Sequence, residues 1–302
     1  MLRFLALCAF YSCMEAHKDS EAEIRMVDIV DSSVRNNLNR LHSSGCQIIA
    51  SHDVHMGRYF EMMDSICSDI KSTCGMVVSD YHLIHTNRWL LDSLQAQDYY
   101  TALSKGVRIE NQRVLIAIHK GDVIRVPNQA EVDSIDQFLS STVIDVNIPE
   151  FTMRIWAGDS LIYRCIVRVG KNERKYLALA GHEVNLRTPI GEGHIVRIER
   201  NPIYINPVDG HRYKTTRRDD GNYTQLPRIP FLEPEINGIR SGALMHPTTN
   251  RSTLGKAVSN GCVGLSEADA WMVYYHAPLG TRVNFRYDLT SEGKVFSNVY
   301  GL

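Results

Sequence analysis

The sequence predicts an α+β protein, with an α-helical N-terminal domain followed by a mainly β domain. Between residues 20 and 106 apolar residues recur every three or four positions, as at Phe60 and Met63, which is the period of a helix. After residue 140 apolar and polar residues alternate, as at Ile144 and Val146, which is the period of a half-buried strand. The change of period between these regions places the domain boundary.

Length and composition narrow the class of protein. The chain has 302 residues, enough for about two domains of roughly 100 to 200 residues each. Lys and Arg number 33 against 34 Asp and Glu, so the chain lacks the basic surface of a nucleic-acid-binding protein. No apolar run reaches the roughly 18 residues of a membrane-spanning helix. We therefore expect no nucleic-acid partner, and no transmembrane helix beyond the leader described next.

The N-terminus has the layout of a secretory signal. One positive charge at Arg3 precedes an apolar run over residues 4–13, and the small Ala16 precedes a charged stretch. This order predicts a signal segment over residues 1–16 and export to the periplasm or cell envelope. Two alternatives stay open: the segment is the first strand or helix of the fold, or Cys13 is a lipid attachment site despite a poor lipobox before it.

Three further regions follow the signal segment. The helical N-terminal domain is predicted over residues 17–112, with a third helical stretch from Trp89 to Leu103. A short β-rich connector is predicted over residues 113–141, as a hairpin or as two edge strands, and it faintly resembles the closing half of a LysM wall-binding repeat. The mainly β domain is predicted over residues 142–302. There Cys165 lies on the apolar face of a strand that carries Arg164 and Arg168 opposite, which predicts a buried thiol.

Residues 201–242 carry half of the prolines of the chain together with a cluster of charges. A loop of this length in a compact domain is typically a lid or a binding loop. We expect it to lie over a cleft, since it leads directly to His246. The alternative is a disordered insertion.

The residues with the clearest chemistry follow that segment. His246 precedes the glycine turn Ser259-Asn260-Gly261-Cys262, and the pattern after the turn is that of a helix start. A helix N-terminus and an imidazole both favour a thiolate, which is the form that a cysteine nucleophile needs. The backbone N–H groups of the turn can also converge on an oxyanion. Taken alone, this pattern leaves a buried structural cysteine as an alternative.

The sequence over about residues 142–288 resembles the L,D-transpeptidase catalytic domain of the YkuD family. The positions that fall in register with its motif are His246, Gly255, Ser259, Gly261 and Cys262. The stretch from Val167 to Lys171 and the turn Thr188-Pro189-Ile190-Gly191 also look like family segments. Two positions depart from it: Asn260 stands where the family usually has His or another polar residue, and Gly264 where it commonly has Arg.

The resemblance implies acyl transfer on peptidoglycan tetrapeptide stems, with no metal and no organic cofactor. It makes Cys262 the nucleophile and His246 the general base, with the Pro247 carbonyl orienting the imidazole. The remaining expected site residues are Ser259, with Asn260 and Gly261 as backbone oxyanion donors, and Arg251, Arg217 and Arg218 as substrate contacts that replace the missing arginine.

Two alternatives accompany this interpretation. The same acyl-enzyme can be resolved by water, which would make the protein an L,D-carboxypeptidase or endopeptidase. A protein with a decayed site would be a non-catalytic wall-binding protein, although the intact motif residues argue against decay.

Overall fold

The computed structural model describes residues 47–302. The predicted signal segment, the candidate lipid attachment site Cys13 and the helical pattern before residue 47 lie outside these residues. The described residues divide into two compact units. The helical unit comprises residues 47–94 and 113–137, and the β unit comprises residues 95–112 and 138–302. Within residues 47–302, no helix has both the length and the apolar character that crossing a membrane requires.

Helices and strands are numbered along the described chain. The helices are α1 (Tyr59–Cys74), α2 (Asp80–Thr86), α3 (Arg88–Ala96), α4 (Tyr99–Ser104), α5 (Gln129–Ser140) and α6 (Glu267–His276). The strands are β1 (Gln47–Ile49), β2 (Val54–His55), β3 (Ile116–Ile118), β4 (Val123–Arg125), β5 (Thr142–Asn147), β6 (Thr152–Ala157), β7 (Ser160–Ile166), β8 (Val169–Gly170), β9 (Arg174–Leu177), β10 (His182–Asn185), β11 (Gly191–Glu199), β12 (Tyr204–Ile205), β13 (Arg212–Tyr213), β14 (Thr215–Arg217), β15 (Tyr223–Gln225), β16 (Phe231–Ile236), β17 (Met245–Pro247), β18 (Ala257–Ser259), β19 (Val263–Leu265), β20 (Arg282–Arg286), β21 (Thr290–Ser291) and β22 (Lys294–Val295).

The helical unit follows the predicted helical pattern. Helix α1 buries Phe60, Met63 and Ile70 on one face, as the three-and-four spacing predicts. It ends at Gly75, whose φ of 66° suits the left-handed cap conformation. Strands β3 and β4 pair with β2 and β1 and not with each other, so the predicted hairpin is wrong and the two-strand alternative is correct.

The structure divides the chain differently from the predicted boundaries. The helical stretch expected from Trp89 to Leu103 is two helices, because Asp98 caps a new one by accepting a hydrogen bond from Thr101 N–H. The second of these, α4, lies in the β unit, where Tyr99 N–H donates to Glu267. The expected β-rich connector contains the 12-residue helix α5, which buries Val132 and Leu139.

The β unit is built on an eight-stranded mixed sheet in the order β19-β17-β16-β11-β20-β5-β6-β7. Its neighbours are antiparallel except for the parallel pairs β17–β19 and β20–β5. Helix α6 packs against β17 and β19, and Ser266 caps its first turn by accepting from Asp269 N–H. The chain thus has a helical region followed by a mainly β domain, which confirms the predicted fold class. Cys165 is buried in β7, as predicted.

The proline-rich segment 201–242 is ordered and paired. It contains the hairpins β12–β13 and β14–β15, and its last strand, β16, lies in the central sheet between β11 and β17. Leu232 and Glu233 of β16 are buried. The alternative of a disordered insertion is therefore wrong, and part of the segment belongs to the core.

Candidate active site

The turn that carries Cys262 connects β18 to β19. Gly261 has a φ of 109°, a backbone conformation that residues with a Cβ rarely adopt. Ser259 closes the turn, because its hydroxyl donates a hydrogen bond of 2.6 Å to the Cys262 carbonyl. The N–H groups of Gly261 and Cys262 have no acceptor among residues 47–302. The turn therefore presents free backbone donors beside a thiol.

The sheet brings His246 next to this turn. Strands β17 and β19 are parallel neighbours, with His246 paired to Gly264. Cys262 directly precedes β19, so the turn that carries it lies at the start of the strand that pairs with the one carrying His246. The N–H of Leu244 donates to Cys262 Sγ at 3.4 Å, which fixes the thiol against the start of β17.

The imidazole of His246 is oriented by its own strand. Its Nδ1 lies 2.9 Å from the Pro247 carbonyl oxygen, the contact that the sequence analysis expects. Because a carbonyl only accepts, Nδ1 carries the proton in this contact and Nε2 is free to accept one. The ring of Phe231 packs on the other side, with 5.0 Å between ring centroids. His246 is thus held in one tautomer and one orientation.

The resting thiol and imidazole are both neutral. Burial lowers the pKa of His246 to about 4, with a further decrease from the positive charge of Arg168. Burial raises the pKa of Cys262, and the Leu244 N–H and Arg168 only partly oppose this increase. The expectation of a favoured thiolate is therefore wrong. Desolvation dominates, and the three residues of β19 separate Cys262 from the start of α6.

A hydrogen-bonded network supports the turn from behind. The Thr188 hydroxyl donates to the Gly261 carbonyl at 3.0 Å and accepts from Gly170 N–H at 2.8 Å. Tyr300 completes the network, since its hydroxyl donates to the Gly170 carbonyl and accepts from Thr188 N–H. The sequence predicted the turn that begins at Thr188 but not this role, and nothing in the sequence indicated Tyr300.

Arg168 is a second group that sequence reasoning missed. Strand alternation predicted an exposed side chain like that of Arg164. Instead β7 ends at Ile166, and the guanidinium of Arg168 is largely buried close enough to Cys262 and His246 to affect the pKa of both. The side chain lies against Gly264, where an added Cβ would be 2.4 Å from Arg168 Nε.

The three arginines expected to contact substrate differ in their positions. Arg218 is buried, and its Nη1 donates to Glu267 Oε1 at 2.6 Å, so the prediction that it faces substrate is wrong. Its guanidinium also stacks on the Tyr99 ring, 4.4 Å from the centroid. Arg217 at the end of β14 and Arg251 in the turn after β17 are exposed.

Hydrogen bonds tie the β14–β15 hairpin to the segment that follows His246. Asp219 accepts from both the N–H and the hydroxyl of Ser252, and the Thr216 and Thr249 hydroxyls are 2.9 Å apart. The hairpin is therefore fixed beside the segment that carries Arg251. In the part of the chain that the structure describes, no group of three or more His, Cys, Asp or Glu side chains is arranged to hold a metal ion.

Comparison with known proteins gives one family. A model of the L,D-transpeptidase catalytic domain (YkuD) matches residues 141–285, which include β17, β19 and the turn that carries Cys262. No curated protein matches the sequence significantly.

Three solved structures illustrate the structural similarities. L,D-transpeptidase 1 of Mycobacterium tuberculosis is 17% identical with a TM-score of 0.32, and the match covers 48% of this chain and 61% of that one. The enzyme from Mycobacterium smegmatis is 15% identical with a TM-score of 0.34, covering 48% and 58%. An L,D-transpeptidase fragment from Xylanimonas cellulosilytica is 15% identical with a TM-score of 0.36, covering 68% and 92%.

The chain thus spans about three fifths of the length of the two mycobacterial structures. The family assignment rests on the family model, which covers the sheet strands and the cysteine turn described above. Residues 141–285 match the L,D-transpeptidase catalytic domain of the YkuD family.

Proposed function

We propose that this protein is a peptidoglycan L,D-transpeptidase that forms a cysteine acyl-enzyme on tetrapeptide stems. One observation supports it above the others: the Gly261 turn places Cys262 directly before β19, and the parallel neighbour of β19 carries His246. The family of residues 141–285 supplies the reaction class, and the peptidoglycan stem is the substrate that the family resemblance implies.

In the proposed first step, Cys262 Sγ attacks the carbonyl carbon of the L,D-amide. Nε2 of His246 takes the thiol proton as the S–C bond forms, and the carbonyl electrons move to its oxygen. The N–H groups of Gly261 and Cys262 can donate hydrogen bonds to this oxyanion, because no other described residue accepts from them. Asn260 contributes through its backbone only.

In the second step the tetrahedral intermediate collapses to a thioester. The C–N bond breaks, His246 returns its proton to the leaving amine, and the terminal D-amino acid departs. A stem amine then attacks the thioester and its proton passes to His246. The C–S bond breaks, and His246 gives this proton to the departing Sγ, which regenerates the Cys262 thiol and the neutral imidazole. The neutral resting pair suits this sequence, because an unprotonated imidazole is the form that accepts the first proton.

We further propose that Arg217 and Arg251 contact the substrate. Both are exposed on segments joined by the Asp219–Ser252 hydrogen bonds. A guanidinium suits the carboxylates of a stem peptide. Since this substrate lies outside the cytoplasm, we also propose export to the periplasm or cell envelope, which cell fractionation and N-terminal mass analysis would check.

The proposal is tested by incubating the purified protein with a disaccharide tetrapeptide and identifying the products by mass spectrometry. We expect a dimer of two stems that has lost one D-amino acid, and no product with Cys262→Ala. Release of the D-amino acid without dimer would favour the L,D-carboxypeptidase alternative. A folded wild-type protein that releases nothing yet binds peptidoglycan would support the non-catalytic alternative.

A further inference from the structure

Arg168 is fixed by its backbone to the strand that follows the nucleophile. Its N–H donates to the Gly264 carbonyl at 2.9 Å, and the Gly264 N–H donates to the Arg168 carbonyl at 2.9 Å. This reciprocal pair forms an antiparallel bridge between the two residues. These two hydrogen bonds therefore fix the position of the Arg168 backbone, from which the side chain extends.

The absence of a side chain at position 264 makes room for Arg168. A Cβ at Gly264 would lie 2.4 Å from Arg168 Nε and 2.5 Å from Cγ, below the 3.0 Å that real Cβ contacts keep. The Arg168 side chain thus lies against Gly264, the residue that pairs with His246 and stands two positions after Cys262.

The guanidinium has no ion-pair partner among residues 47–302. Its Nε is buried without a hydrogen-bond partner in the described chain, and Nη1 has only the Thr253 hydroxyl, at 3.5 Å. Three buried or half-buried acidic side chains of β16 and α6 have other partners: Glu233 pairs with Arg197 and Arg240, Glu267 pairs with Arg218, and Asp269 accepts from the hydroxyls of Tyr163 and Ser266. A buried cation without a partner is costly, so a group that becomes negative beside it is stabilised.

We propose that Arg168 is a positioning residue that places a fixed positive charge beside Cys262 and stabilises the thiolate as it forms. The inference rests on the proposed function only in taking Cys262 as the nucleophile. The electrostatics agree, because among the described charged groups Arg168 lowers the pKa of both residues. Phe231, the ring in contact with His246, carries no charge.

The test measures alkylation of Cys262 by iodoacetamide against pH, with peptide mapping by mass spectrometry to separate it from other thiols. We expect Arg168→Met to slow alkylation at pH 8 on the order of tenfold, which corresponds to a pKa increase of about one unit. Arg168→Lys keeps the charge and should retain most of the rate. Gly264→Ala should slow it as Arg168→Met does, since the new Cβ displaces the guanidinium at constant net charge.

Arg164→Met is the matched control, because it removes an exposed arginine from β7 and should leave the Cys262 profile unchanged. The same alkylation profile in wild type and Arg168→Met would overturn the proposal, as would a higher KM with unchanged alkylation. If Arg168→Met does not fold, a wild-type rate in Gly264→Ala overturns it. Alkylation needs no substrate, so an Arg168 effect without peptidoglycan products would refute the proposed function alone.

Discussion

Arg218 and Glu267 form a buried ion pair, with 2.6 Å between Nη1 and Oε1 and side chains 0% and 2% exposed. The pair joins the β14–β15 hairpin to the first residue of α6. Gln112 bridges both partners, since its amide donates to Glu267 and accepts from Arg218. Burial raises the pKa of Glu267, and Arg218 opposes this increase.

Replacing Arg218 with Met should destabilise the protein by about 3–5 kcal/mol, because it leaves a buried carboxylate without its cation. Urea unfolding measures the change. Arg217→Met, at the exposed neighbouring position, is the control and should alter stability by less than about 0.5 kcal/mol. Equal stabilities of the two variants would contradict the role given to the ion pair.

On the acidic side of its pH profile, kcat/KM should decrease with a midpoint near pH 4, which is the pKa of His246. Below that pH the imidazole is protonated and cannot accept the thiol proton, so activity falls as pH decreases. Above it the base is neutral and the rate reaches its plateau. Initial rates between pH 3 and 8, with circular dichroism to confirm folding, test this. A midpoint at the ordinary histidine value of 6.5 would refute the effect of burial.

Cys262 should be the thiol that a carbapenem acylates, a reagent expected from the family resemblance. Intact-mass analysis should show one adduct on the wild type and none on Cys262→Ala. His246→Ala should form it roughly 10²- to 10⁴-fold more slowly. Cys165 is the internal control, because burial raises its pKa well above the ordinary value. An adduct mapped to Cys165 would exclude the assignment.

Thr188→Val should lower kcat, because it removes the hydroxyl that joins Gly170 N–H to the Gly261 carbonyl. Stability should fall by about 1–3 kcal/mol, since Gly170 N–H loses its acceptor. Thr281→Val is the matched control: the Thr281 hydroxyl is buried with no hydrogen-bond partner among residues 47–302. Similar kcat values in the two variants would show that Thr188 does not hold the turn.

Arg217→Ala and Arg251→Ala should each raise KM with little change in kcat. Both side chains are exposed, so each contact contributes no more than about 1 kcal/mol. Arg212→Ala removes an exposed arginine from β13 and controls for net charge. Steady-state kinetics on the tetrapeptide substrate give the comparison, and unchanged KM in both variants would remove these residues from the binding site.

Features that depend on residues close together in the sequence were predicted correctly from local sequence patterns. The alternation at Ile144 and Val146 predicted a strand, and β5 buries both residues. The glycine turn before Cys262 was predicted because few residues other than glycine adopt its backbone conformation. The contact of His246 with the Pro247 carbonyl also joins adjacent residues, but it was expected from the family resemblance.

Contacts between distant residues were not predictable. Arg218 resembles an ordinary surface charge until folding brings Glu267, 49 positions away, against it. Arg168 continues the apparent alternation from Arg164, but the strand ends between them at Ile166. The thiolate was predicted from a nearby helix start, whereas desolvation by the folded core decides the pKa of Cys262.

The burial that keeps Cys262 protonated has a consequence for its survival. Peroxides and disulfides react with thiolates far faster than with thiols, so a protonated cysteine resists conversion to sulfenic acid and to mixed disulfides. A free nucleophile outside the reducing cytoplasm would be exposed to both. In an exported enzyme with Cys262 as its nucleophile, the desolvation that raises the Cys262 pKa would therefore also slow oxidative inactivation.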